Sequence, residues 1–114
     1  MQALKQYNFY LYMHSARRVF VMYYYTYVLL SKKDEKLYTG YTNNLRNRLE
    51  KHNSGLVDST KNRRPLELIY FEGCAEQKDA LRREKYLKSG NGKIYIRSRL
   101  RYFSAKIKNE NPTG

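Results

Sequence analysis

The sequence predicts an α+β domain, a small three-stranded antiparallel sheet flanked by helices in the order β-β-α-β-α-α. Residues 22–30, 36–41 and 66–72 are rich in β-branched and aromatic side chains and have strand character. The first two runs are joined by a short polar stretch, so they form a hairpin and must be antiparallel. Leucines at helical spacing recur afterwards, in 45–53 and again in 75–88. A chain of 114 residues suits one domain.

Residues 22–30, MYYYTYVLL, contain no Gly or Pro and read as the central strand. The stretch Ser31-Lys32-Lys33-Asp34-Glu35 has turn composition. Residues 36–41, KLYTGY, are the partner strand, and Gly40 marks a bend or a close backbone approach. If Leu29 stands opposite Tyr38, then Tyr27 and Tyr38 share a sheet face as diagonal neighbours. Asn43-Asn44 can cap a helix from Leu45 to about Asn53, which Ser54-Gly55 ends. Residues 56–65 form a basic loop.

Residues 66–72, LELIYFE, are a third strand, with Leu66, Leu68 and Tyr70 on one face and Ile69 and Phe71 partly on the other. A second helix runs from about Ala75 to Lys88, with Glu76 and Asp79 at its positive end. Gly90-Asn91-Gly92 breaks it, and a basic third helix follows from Ile94 to about Ile107. Residues 1–18 mix aromatic and polar side chains without a clean period, and an outer helix is one reading of them. The tail 109–114 is expected to fray. The boundaries that follow are an extension at 1–21, a central domain at 22–102, and a basic helix end and tail at 103–114.

Lys and Arg number 23 against 10 Asp and Glu, a formal net charge of +13, which is the footprint of a protein that binds a polyanion. The basic residues are spread along the chain and interleaved with 13 tyrosines, which favours nucleic acid over an acidic membrane surface. The apolar run 19–30 is too short to span a bilayer, which takes about 20 residues. Cys74 is the lone cysteine, so no internal disulfide can form, and a cytoplasmic location is expected.

Helical geometry sorts the polar residues. Leu45 and Leu49 define the inward stripe of the first helix, and Arg48 and His52 fall beside it on one face. In the second helix Leu81 and Leu87 make the stripe with Ala80 beside them, and Glu84 lies midway. A carboxylate there needs a cation or a donor. A structural salt bridge or a metal ion would each supply one. Arg82, Arg83 and Lys85 are expected to project to other sides.

The spacing of these residues resembles a known family. Tyr25-Thr26-Tyr27, Tyr38-Thr39-Gly40, Arg48 and His52 in a helix, Asn53-Ser54-Gly55, and Glu84 in a later helix are similar to the GIY-YIG nuclease pattern. The stretches LYTGYTNNLRNRLEKHNSG and ALRREKYLK carry the resemblance, which covers about residues 22–102. It is strongest to small stand-alone bacterial members and extends to the N-terminal catalytic domain of the excision-repair nuclease UvrC. The first triplet departs from the pattern, with Tyr25-Thr26 in place of Gly-Ile.

The resemblance implies a metal-dependent endonuclease that hydrolyses phosphodiester bonds in DNA, structure-specific or repair-related. Tyr27 and Tyr38 would line the site, Arg48 would contact the scissile phosphate, and His52 would assist or orient the nucleophile. Glu84 would bind a single Mg²⁺ or Mn²⁺. A tyrosine is a weak base at its ordinary pKa of about 10, so Arg48 and the metal are expected to lower that value. Either Tyr27 or Tyr38 would then serve as base or water-positioner. Asn91 is the nearest match to the asparagine that closes the site in some larger relatives.

The expected nucleic-acid contacts are Tyr41, then Lys61, Arg63 and Arg64 in the basic loop, Arg82 and Lys88 on the second helix, and Lys93 and Arg97 on the third. Arg99 and Arg101 continue that basic run. Backbone contacts position a nucleic acid without reading its sequence, so targeting would fall to DNA shape or to a protein partner. DNA is preferred to RNA as the substrate. The alternative is a nucleic-acid-binding module with little or no catalysis, suggested by the charge and by the altered first triplet.

Overall fold

The structure, a computed structural model, describes the backbone of residues 9–14 and 17–110 and the side chains of 21–109. The chain divides into two compact units, Met1–Glu84 and Lys85–Gly114. Among the described residues, the first unit opens with a hairpin of Phe9–His14 (β1) and Arg17–Met22 (β2), paired antiparallel with Phe9 opposite Met22. This replaces the outer helix considered for the N-terminal segment. The mixed aromatic and β-branched composition there suits an extended backbone better than a helical one. Residues 1–8, 15, 16 and 111–114, and with them the frayed end of the expected tail, lie outside the described residues.

A three-stranded antiparallel sheet follows, from Tyr24–Ser31 (β3), Leu37–Thr42 (β4) and Leu66–Cys74 (β5), with β3 in the centre. Its six C-terminal residues, Thr26 to Ser31, are buried, as a central strand covered on both faces requires. Leu29 stands opposite Tyr38 and Tyr27 opposite Gly40, so Tyr27 and Tyr38 do share a face. On the other edge the register shifts between Val28 and Leu29, where Leu68 pairs with Leu29 and Tyr70 with Val28. Ile69 is the extra residue of a β-bulge. The bulge moves Tyr70 to the face opposite Leu66 and Leu68 and brings Phe71 beside Tyr27, against the simple alternation expected for this strand.

One helix, and the part of a second that lies in the first unit, cover the two faces. Leu45–Asn53 (α1) is capped by Asn44, whose side-chain oxygen accepts from the Asn47 amide. Gly55, at φ 78°, takes the left-handed position that ends the helix. Leu45 and Leu49 pack with Tyr38 and Leu68 around Tyr27, Leu29 and Leu66. Gln77–Lys88 (α2) lies on the opposite face, because the neighbouring Thr26 donates its hydroxyl hydrogen to the Ala80 carbonyl at 2.8 Å.

The inward stripe of α2 differs from the expected one. Leu81 is 42% exposed, whereas Ala80 and Leu87 are buried and Arg83 and Glu84 half-buried. Arg83 pairs with Glu72 on β5 at 3.0 Å instead of projecting away. The stripe therefore runs through Ala80, Glu84 and Leu87, at the i, i+4, i+7 spacing of one helical face.

In the second unit Gly90–Arg99 (α3) and Arg101–Glu110 (α4) complete the chain. The expected break at Gly90-Asn91-Gly92 is instead the first turn of α3, capped by Ser89, whose hydroxyl accepts from the Gly92 amide at 3.1 Å. Gly92 is there for proximity, since a Cβ would collide with the Tyr86 carbonyl oxygen. The single long helix expected from Ile94 to Ile107 is divided at Leu100, whose φ of −107° and ψ of 40° are not helical. Among the described residues no helix is long and apolar enough to cross a membrane.

Candidate active site on the sheet face under α1

The face of the sheet beneath α1 gathers Tyr27, Tyr38, Arg48 and His52. Alternation along β3 points Tyr27 toward α1, and the register sets Tyr38 diagonally beside it, with ring centroids 6.4 Å apart. The i, i+4 spacing of α1 stacks Arg48 and His52 one turn apart on the side that faces these rings. The His52 ring meets the Tyr27 ring edge-on at 5.7 Å and the Tyr38 ring at 5.1 Å. Gly40 makes room for this cluster, because a Cβ there would collide with the Tyr27 hydroxyl.

The polar atoms form a chain. The Tyr27 hydroxyl oxygen lies 2.8 Å from Nε2 of His52 and accepts from Nε of Arg48 at 3.4 Å. Nδ1 of His52 lies 2.7 Å from the Thr60 hydroxyl. Tyr27, His52 and Thr60 are all buried, and Arg48 is half-buried. Burial, reinforced by the charge of Arg48, pushes the His52 pKa down from 6.5 to about 4, so the ring is neutral at physiological pH.

Burial also raises the Tyr27 pKa, with the Tyr38 and Glu84 charges adding to it, and this outweighs the lowering by Arg48. The lowering expected from Arg48 is present at Tyr27 but is outweighed, since loss of hydration costs the phenolate more than one guanidinium returns. Arg48 is held the more firmly in its charged form by its bond to Tyr27.

Glu84 projects from the inward stripe of α2, and its carboxylate is close enough to act electrostatically on the Tyr27 hydroxyl. Among the described residues no three His, Cys, Asp or Glu side chains gather as a metal-binding group. A lone half-buried carboxylate fits Mg²⁺ or Mn²⁺, hard ions that fill their other positions with water and phosphate oxygen. It does not fit Zn²⁺, which takes three or four protein ligands.

Several expected nucleic-acid contacts are engaged elsewhere. Arg63 bonds Asp34 at 2.7 Å and donates to the Lys36 and Leu37 carbonyls at 3.1 and 3.4 Å, so it fastens the loop to the β3–β4 hairpin. The arginine that composition marks as a phosphate contact is a structural clamp, because three acceptors converge on its fork. Lys61 pairs with Asp58, Arg64 donates to the Lys61 carbonyl, and Arg82 pairs with Asp79, all in exposed positions. Tyr41 stacks on Tyr24 at 6.5 Å with ring planes 13° apart. In the second unit Lys88, Lys93 and Arg97 are exposed, as is Asn91.

Two residues of this region carry no periodic signal in the sequence. Thr60 sits in an irregular loop, where a threonine is unremarkable. Asn53 uses both ends of its amide, donating to the Leu66 carbonyl at 3.0 Å and accepting from the Leu66 amide at 2.9 Å. It pairs the end of α1 to the start of β5 and so holds His52, its neighbour, over the sheet.

Known proteins resemble this chain over most of its length. The model of the GIY-YIG catalytic domain matches residues 23–99. A UPF0213 protein of Clostridium perfringens is 43% identical over 85 residues, 73% of this chain and 87% of that protein. The UPF0213 protein YazA of Bacillus subtilis is 44% identical over 57 residues, 49% of this chain and 58% of its own length. A UPF0213 protein from Bacillus halodurans, solved by solution NMR, is 34% identical over 68% of this chain and 84% of that one, with a TM-score of 0.44. These relatives are bacterial. The family match spans the whole tyrosine–arginine–histidine cluster and reaches past Glu84, and the chain belongs to the GIY-YIG catalytic domain family.

Proposed function

We propose that this protein is a metal-dependent endonuclease that hydrolyses phosphodiester bonds in DNA, with a structure-specific or repair-related role. The observation that carries this reading is the contact of Arg48 and His52 with one phenol oxygen, that of Tyr27, beneath α1. Such hydrolysis needs a positioned water and neutralised charge at phosphorus. Arg48 supplies a fork of donors for phosphate oxygens. The Tyr27 and Tyr38 hydroxyls orient the attacking water, and His52 holds Tyr27 in place.

Glu84 would hold Mg²⁺ or Mn²⁺, which supplies Lewis-acid stabilisation of charge on the phosphate and leaving oxygens. The net charge of +13 supports a polyanionic substrate. The exposed Lys61, Arg64, Arg82, Lys88, Lys93 and Arg97 are its candidate backbone contacts. Selectivity would come from DNA shape or a protein partner, in a cytoplasmic setting.

Incubation with plasmid, branched DNA and RNA, with and without Mg²⁺, tests the proposal. Cleavage of DNA that needs the ion and is lost in Glu84→Ala is expected. Salt-sensitive binding with no cleavage in Mg²⁺ or Mn²⁺ would instead select a non-catalytic nucleic-acid-binding module.

A further inference from the structure

The sheet face that carries Tyr27 runs on past the site. On β3 this face shows Tyr25 next to Tyr27, and on β5 it shows Phe71 opposite Tyr27 and Gly73 opposite Tyr25. α1 covers the other end, where Leu45 and Leu49 pack near Leu29 and Leu66 and Asn53 ties the end of the helix to Leu66. Leu66 starts β5 and Phe71 lies toward its far end, where the ring is 52% exposed.

An exposed phenylalanine standing alone is ordinary. This one is braced. The half-buried Tyr25 ring meets it edge-on, with centroids 6.0 Å apart and planes at 72°. The Tyr25 ring itself lies across Gly73, where a Cβ would come within 2.9 Å of it. Tyr25 thus lies over its cross-strand glycine as Tyr27 lies over Gly40.

The surroundings suit a nucleotide. Phe71 stands opposite Tyr27, whose hydroxyl accepts from Arg48, so a cation for phosphate and a ring for a base lie side by side. Glu72, the next residue on β5, points to the opposite face, and Arg83 holds its carboxylate there. The net charge of +13 favours a polyanion over a second copy of the chain. Aromatic rings exposed on a sheet face stack unpaired bases, and a ring already braced loses little freedom in doing so. A base inside a duplex has both faces covered by its neighbours and cannot offer one to the ring.

We infer that Phe71, braced by Tyr25, is a stacking platform for one unpaired base beside the phosphate held by Arg48, so that the site favours a strand with an unpaired nucleotide over an intact duplex. The inference rests on the nuclease reading for the place of the phosphate. Stacking itself needs neither metal nor cleavage.

The test is binding in EDTA, at several salt concentrations, of a single-stranded oligonucleotide carrying a fluorescent base analogue whose emission falls on stacking, and of the same sequence as a duplex. Native protein, Phe71→Leu and Phe71→Tyr are compared. Phe71→Leu keeps an apolar side chain but no flat ring. It should weaken single-strand binding about 5- to 150-fold at every salt concentration, the span of one base stacked on an aromatic ring, and change duplex binding less than about twofold. Quenching of the analogue should be lost with it. Phe71→Tyr should bind and quench as the native protein does. Native single-strand affinity in Phe71→Leu overturns the inference, and so does an equal loss on single strand and duplex. The expected pattern in a protein that cleaves nothing in Mg²⁺ supports the platform and sinks the nuclease reading alone. Cleavage by the native protein, with native binding in Phe71→Leu, sinks the platform alone.

Discussion

The ring of Tyr27 lies across its cross-strand partner Gly40, whose missing side chain leaves the space the phenol fills. A methyl group there meets the hydroxyl end of the ring, which is buried and cannot swing into solvent. Gly40→Ala should therefore cost about 1–3 kcal/mol, the usual range for overpacking. It should also displace the Tyr27 hydroxyl from Arg48 and His52 and reduce cleavage by about 10- to 100-fold. Urea unfolding and single-turnover cleavage read the two effects, and a fully active Gly40→Ala would show that Tyr27 need not stay where it is.

His52 makes stability depend on pH. Its pKa is about 4 in the folded protein against 6.5 for the free side chain, so the unfolded chain binds more protons between those values. Stability is complete above pH 6.5 and is lost as pH falls toward 4. With these values the loss from pH 7 to pH 5 is about 2 kcal/mol. Asp34, whose pKa is held down by Arg63, is lost only at lower pH and falls outside this window. Urea midpoints at pH 7 and 5 check the slope, which should flatten in His52→Gln.

Arg63 should behave as a clamp. Arg63→Ala removes the bonds to Asp34 and to two carbonyls and should lower the urea midpoint. It should leave the slope of DNA affinity against salt close to the native value.

Lys93 and Arg97 should do the reverse. Both are exposed on α3, and Lys93→Ala or Arg97→Ala should each reduce that log–log slope by about 0.9 with stability little changed, if each neutralises one phosphate. Titrations at several salt concentrations separate the clamp from the contacts.

These contrasts show where sequence is informative. The inward placement of Arg48 and His52 was readable because one helical period sets their direction, and leucines at 45 and 49 mark the buried side. The pairing of Leu29 with Tyr38 was readable because a short hairpin fixes the register. The bulge at Ile69 was not, since it depends on two strands fitting together and not on either alone. Glycine at 90 and 92 signals a break in isolation, yet Ser89 caps a helix through both, and Gly92 answers a close approach that only folding creates. Arg63 shows the same limit from the other side. Its charge is legible, but the acceptors that claim it come from 26 to 29 residues away.

The most direct test of the central claim is the single-turnover rate of plasmid cleavage in saturating Mg²⁺ for the native protein and for Arg48→Ala and Glu84→Gln, with circular dichroism confirming that all three fold. Loss of an oxyanion-type donor costs about 10²- to 10³-fold, and at least that much is expected for each variant. Native rates in either folded variant would contradict the assignment of catalysis to Arg48 and Glu84.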